Sequence, residues 1–177
     1  GEYNPSAKLP MTFPAHVGQI PIYYQNKSTG RPTALQQTYK ASYIDASTEP
    51  AYPFGYGLSY TDFGYSDLKL LPGKAAGVHT EVSVKVTNTG KCAGEEVVQL
   101  YVQDKVASVT RPIKELKGFR KIHLNAGESK TVVFQITDDA LGFYDNEMNY
   151  MVEPGDFVFM VGGSSDDVQQ ITYNLKE

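Results

Sequence analysis

Residues 78–90 read VHTEVSVKVTNTG and residues 95–104 read EEVVQLYVQD. In the first stretch Val78, Thr80, Val82, Val84 and Val86 share one face, and mostly polar residues take the other. That period of two is the pattern of a half-buried strand. Asn88-Thr89-Gly90 then supplies a turn. In the second stretch Val98, Leu100 and Val102 fall on one face.

The same pattern continues in both directions, with a turn signal every ten or so residues. FGYSDLKLL (63–71) reads as a strand before the pair, and IKELKGFRKIHL (113–124) as one after it. The latter carries a glycine expected at a bulge or turn and ends at NAGES. TVVFQITD (131–138) places Val132, Phe134 and Ile136 inward. LGFYDNEMNYMVEPG (141–155) reads as strand, polar turn and strand, and DFVFMVGGSS and VQQITYNL close the chain. About eight short strands without a helix of three turns predict an all-β fold, an antiparallel fibronectin type III or immunoglobulin-like β-sandwich. Tryptophan is absent and Cys92 is the only cysteine, so the Cys…Trp…Cys core of antibody domains is missing and the fibronectin branch suits better. Val84, Leu100, Phe134 and Phe159 are the expected core.

Residues 1–60 differ. They hold seven of the ten prolines, and residues 1–65 hold nine of the thirteen tyrosines. Proline interrupts each short extended piece of LPMTFPAHVGQIPIYYQ (9–25). NKSTGRPTALQQTYKASYIDASTEP (26–50) is polar and turn-rich, and so long a connection inside a domain signals a functional loop, an inter-domain wrap or disorder. AYPFGYGLSY (51–60) crowds four aromatic rings and two glycines together. A phosphate loop needs a strand before its glycines and a helix after, whereas here proline precedes and a strand follows.

Composition excludes several classes. The 177 residues carry a net charge of −4 with no Lys/Arg run beyond two, which argues against nucleic acid as a partner. No apolar run approaches the roughly 18 residues of a membrane span, so no membrane partner is expected. A single cysteine forms no intrachain disulfide and no multi-Cys metal site. His16, His79 and His123 lack ligand spacing, and Asp138-Asp139, Asp145–Glu147 and Asp166-Asp167 read as solvated turns, so no metal or cofactor is expected. Asn26-Lys27-Ser28 is an N-glycosylation sequon. Glycoside hydrolysis needs two carboxyl groups held about 5–10 Å apart, and no such pair stands out. The opening GEYNPSAKLP reads as the middle of a longer chain.

Several stretches, in order, resemble one family: LPMTFPAHVGQIPIYY, STGRP, YPFGYGLSYTDF, VKVTNTGKCAGEEVVQLYVQD, RPIKELKGFRKIHLNAGES and EPGDFVFMVGGSSDD. Together they resemble the C-terminal end of bacterial periplasmic β-glucosidases of glycoside hydrolase family 3. The resemblance covers essentially the whole chain. It implies a parent with a β/α barrel, an α/β sandwich domain and a fibronectin-like domain. Residues 1–25 then resemble the terminal strand region of the α/β sandwich domain, 26–59 a linker, and 60–177 the fibronectin type III-like domain. The parent would be a retaining, exo-acting β-glucosidase-type hydrolase, periplasmic or secreted. Its aspartate nucleophile and glutamate acid/base lie upstream, so no catalytic, substrate-binding or metal residue carries over to this chain.

The implied function is a non-catalytic accessory domain that stabilises the catalytic domains of the same parent chain and shapes the active-site mouth or a homodimer contact. The β-glucoside or oligosaccharide substrate belongs to the parent alone. Tyr23, Tyr24, Tyr52, Phe54, Tyr56 and Tyr60 are the expected inter-domain packing residues, each ring able to bury roughly 150–250 Å². The alternative is a self-standing carbohydrate-binding or adhesion module; the α/β-like beginning of the chain favours the first reading.

Overall fold

The computed structural model describes residues 2–28, 43 and 46–176. Of the linker expected over 26–59, residues 29–42, 44 and 45 therefore lie outside the described residues. Nine strands follow Tyr60: β1 (Phe63–Pro72), β2 (Val78–Asn88), β3 (Gly94–Asp104), β4 (Glu115–Leu124), β5 (Ser129–Thr137), β6 (Phe143–Tyr144), β7 (Tyr150–Met151), β8 (Gly155–Gly162) and β9 (Val168–Leu175). The Thr-Asp-Asp stretch at 137–139 opens a single helical turn, α1 (Asp138–Leu141).

Two antiparallel sheets pack face to face, one ordered β1-β2-β5 and the other β4-β3-β8-β9; β6 and β7 form a separate small hairpin. The alternation in the sequence sets the register. Val82 lies opposite Phe134 and Val84 opposite Val132 in the first sheet, and Val102 lies opposite Phe159 in the second. The core between the sheets contains Val82, Val84, Val86, Val98, Leu100, Phe134, Ile136, Phe157 and Phe159. All four expected core residues are in it. The glycine of β4 marks a bulge: Leu100 pairs with Gly118 and Tyr101 with Leu116, leaving Lys117 as the extra residue.

The turn after β2 is tied by a polar side chain inside the core. Asn88 is fully buried, and its amide oxygen accepts from the Thr61 hydroxyl at 2.6 Å and the Gly90 N–H at 3.1 Å. Its amide nitrogen donates to the carbonyls of Cys92 and Leu124. Two donor and two acceptor bonds saturate the group, so its burial leaves nothing unpaired.

Truncating Phe134 to alanine should lower unfolding free energy by about 3–5 kcal/mol, as large-to-small core changes do. Val133→Ala, on the partly exposed outer face of the same strand, should stay within about 0.5 kcal/mol. Urea denaturation of the two variants checks this, and equal midpoints would place the inward face wrongly.

Candidate functional site

β3 is buried on both faces. Val98, Leu100 and Val102 point into the sandwich, while Gln99 and Tyr101, on the opposite face, are as thoroughly covered. The cover is the Pro/Tyr-rich segment. Tyr24 and Phe54 stack with ring centroids 4.2 Å apart, and both meet the Tyr101 ring edge-on, at 5.8 and 6.4 Å. Val158, Met160, Leu116 and Val168 complete this second apolar cluster. The Tyr24 hydroxyl accepts the Leu116 N–H at 3.3 Å, at the β4 bulge.

Gln99 provides the polar half of this contact. Its amide nitrogen donates to the carbonyls of Gly55 (3.2 Å) and Gly163 (2.6 Å), and its amide oxygen accepts from the Tyr101 hydroxyl. Gly55 has φ +79°, and a Cβ there would fall 2.1 Å from the Gln99 amide oxygen. Only glycine satisfies both the left-handed backbone and the close approach. The Phe54 carbonyl accepts the Ser165 N–H at 2.9 Å, tying the segment to the turn between β8 and β9.

The segment is itself a folded strip. Residues 9–13 and 51–56 run antiparallel, with backbone bonds Leu9 N–H to Tyr56, Phe13 N–H to Tyr52 and Gly55 N–H to Leu9. Buried Gln19 accepts the Ala15 N–H and donates to the carbonyls of Ser47 and Glu49. Lys8 then reaches the sandwich. Its ammonium lies 3.1 and 3.2 Å from the two oxygens of buried Glu96 on β3, and the Tyr65 hydroxyl of β1 donates to the same carboxylate at 2.8 Å. This triad joins the segment and both sheets. Nearby, the hydroxyls of Tyr3 and Ser6 donate to Glu95.

The six expected packing residues divide. Tyr24 and Phe54 lie against the sandwich. Tyr56 is half-buried and packs on Tyr52, which meets Phe13 edge-on. Tyr23 and Tyr60 are exposed, as are Met11, Val17, Ile20 and Leu58. His79 lies 2.6 Å from Asp138 and Cys92 is exposed; among the described residues no three His, Cys, Asp or Glu side chains converge on a metal position. Lys8, Tyr65, Glu96, Gln99 and Tyr101 were not singled out from the sequence. One signal for Tyr101 was there: VVQLYV (97–102) is nearly continuous in apolar residues, as befits a strand buried on both faces.

Burial raises the Tyr65 phenol well above its usual range, and the charge and hydrogen bond of Glu96 raise it further. Burial does the same for Tyr101. A raised phenol pKa favours the neutral form in the folded state. The stability it carries is intact below the unfolded pKa of about 10 and declines as pH rises beyond that value. The urea midpoint should therefore hold steady up to about pH 10 and fall above it, less steeply in Tyr65→Phe than in the unchanged protein. Tyr101→Phe leaves the Gln99 oxygen without its donor and should cost about 1–3 kcal/mol at neutral pH.

Comparison with known proteins matches the glycosyl hydrolase family 3 C-terminal domain over residues 1–60 and a fibronectin type III-like domain over 96–165. A periplasmic beta-glucosidase of Salmonella typhimurium is 49% identical over 99% of this chain and 23% of its own length. A putative beta-xylosidase of Formosa agariphila is 45% identical over 100% of this chain and 22% of its own. Among solved structures, a beta-glucosidase from Listeria innocua in complex with glucose superposes with a TM-score of 0.90 at 43% identity, over 98% of this chain and 25% of that one. The chain thus spans about a quarter of the length of these relatives. Two family matches in succession, and relatives aligned along nearly all of it, show that this chain corresponds to the C-terminal region of glycoside hydrolase family 3 β-glucosidases.

Proposed function

We propose that this chain is the non-catalytic C-terminal part of a β-glucosidase-type glycoside hydrolase, acting in the periplasm or outside the cell. Its sandwich braces the parent's catalytic domains and helps shape the mouth of the active site. The observation that carries this reading is the two-sided character of the Pro/Tyr-rich segment. It is pinned to the sandwich by Tyr24, Phe54 and Lys8, yet leaves Met11, Phe13, Val17, Ile20, Tyr23, Tyr52 and Leu58 exposed. Large exposed apolar residues gathered in one segment mark a surface that another body covers. Residues 1–25 fit the role of a terminal strand region completing the parent's α/β sandwich domain, with 60–177 as the attached fibronectin-like domain. The names of the relatives point to β-glucosides, or β-xylosides, as the parent's substrates.

The chain alone should not hydrolyse an aryl β-glucoside above the level of a mock purification. When the remainder of the parent is produced as a separate polypeptide, adding this chain should raise that polypeptide's melting temperature and its aryl-glucosidase activity. The double variant Phe13→Asp/Tyr52→Asp should abolish both effects while the chain keeps its own sandwich, read from slow amide exchange in β2, β3 and β8. Turnover by the chain alone, or equal rescue by the double variant, would sink the proposal.

A further inference from the structure

Beside the β6–β7 hairpin the fold leaves a cleft of ≈ 820 Å³, whose lining includes Lys27, Arg111, Lys117, Tyr144, Asn146 and Tyr150. Small-ligand sites span roughly 300–1,000 Å³. We infer that this cleft binds a short oligosaccharide, with a pyranose ring stacked on Tyr144 and its hydroxyls held by Lys27, Lys117 and Asn146.

One wall is a rigid aromatic hairpin. Tyr144 and Tyr150 are cross-strand partners with ring centroids 5.2 Å apart. The Tyr150 hydroxyl donates to the Asp138 carbonyl at 3.2 Å, and its ring lies across Gly142, where a Cβ would come within 2.4 Å of it. The Asp145 carboxylate accepts the N–H groups of Glu147 and Asn149 and so fixes the turn. Tyr144 is held by this frame with 59% of its surface exposed. A fixed ring with an apolar face and a polar edge matches the C–H face and hydroxyl rim of a pyranose.

The other wall supplies donors. Arg111, nine-tenths buried, pairs with Glu115 and lies 4.7 Å over the Phe143 ring, while its Nη1 has no acceptor among the described residues. Lys117 is the residue that the β4 bulge leaves over, and its ammonium is 3.9 Å from the same Glu115. Lys27 is exposed, is brought in by its bridge to Pro112, and makes no ion pair among the described residues. Arg111 and Lys117 thus share the Glu115 carboxylate and Lys27 adds a third cation, giving a donor-rich cleft suited to hydroxyl lone pairs. The acidic pair Asp138-Asp139 beside Tyr150 offsets the positive charge and disfavours a bare anion. Because both walls are braced before a ligand arrives, little ordering cost opposes binding. This inference does not rest on the accessory reading, since the cleft is built from this chain alone.

Titration of the full chain with cellotetraose, xylotetraose and laminaritetraose, followed by ¹H–¹⁵N NMR, tests it, with inorganic phosphate as the anionic control. At least one tetrasaccharide at millimolar concentration should give saturable shifts confined to residues 26–28, 108–117 and 142–151. Tyr144→Ala should weaken that binding about tenfold or more without lowering the melting temperature, and Tyr144→Phe should retain it. The double variant Lys27→Ala/Asn146→Ala should weaken it as well. No saturable shift at these residues with any of the three sugars, a response to phosphate alone, or unchanged affinity in Tyr144→Ala would overturn the proposal.

Discussion

The second face of β3 is the constraint around which this structure is arranged. A sandwich of two sheets needs one apolar face per strand, and Val98, Leu100 and Val102 supply it. Tyr101 adds a large ring on the opposite face, beside Val158 and Met160 of β8. That surface is too apolar to leave in water, since one such ring removes roughly 150–250 Å² when covered. A neighbouring helix or sheet would be the ordinary cover. Here an extended, proline-punctuated segment does the work, through Tyr24 and Phe54.

An extended segment brings backbone groups to a buried surface, and each of them needs a partner. The buried polar side chains answer that need. Gln99 meets the carbonyls of Gly55 and Gly163, and Gln19 meets those of Ser47 and Glu49. Asn88 closes the turn beneath Thr61. These bonds are directional where apolar contact is not, so they set the register in which the segment lies. The Lys8–Glu96–Tyr65 triad serves the same end with charge. Removing Lys8 or Glu96 would leave a buried carboxylate or ammonium without its counterpart, a far larger loss than breaking an exposed ion pair.

The proposed function follows from this attachment. A loosely tethered segment would offer no defined surface to another body. Once Tyr24, Phe54 and Lys8 hold it, the positions of Phe13, Tyr52 and Tyr56 are fixed relative to the sandwich. In the proposed function, the sandwich is the rigid support for a docking surface. The cleft beside β6 and β7 uses a similar logic on a smaller scale, with a two-residue strand pair holding Tyr144 in place.

The sequence by itself determined the sandwich. The period-two runs at 78–86, 98–102 and 132–136 specify which side chains point inward, because successive strand residues must face opposite ways. The turns at 88–90, 125–129, 145–149 and 163–167 were legible from their Gly, Asn, Asp and Ser residues, and Gly118 was legible as a bulge or turn, which the structure resolves as a bulge. The family was legible as well, through its motifs. What only the tertiary structure decided was the fate of the aromatic segment and its partners. Tyr23 and Tyr24 are adjacent and chemically identical, yet one is exposed and the other is stacked on Phe54 and edge-on to Tyr101. Lys8 and Glu96 are 88 residues apart and meet only when the chain folds back. An irregular segment has no repeat to assign its faces; the shape of the surface it lies against chooses which rings are covered.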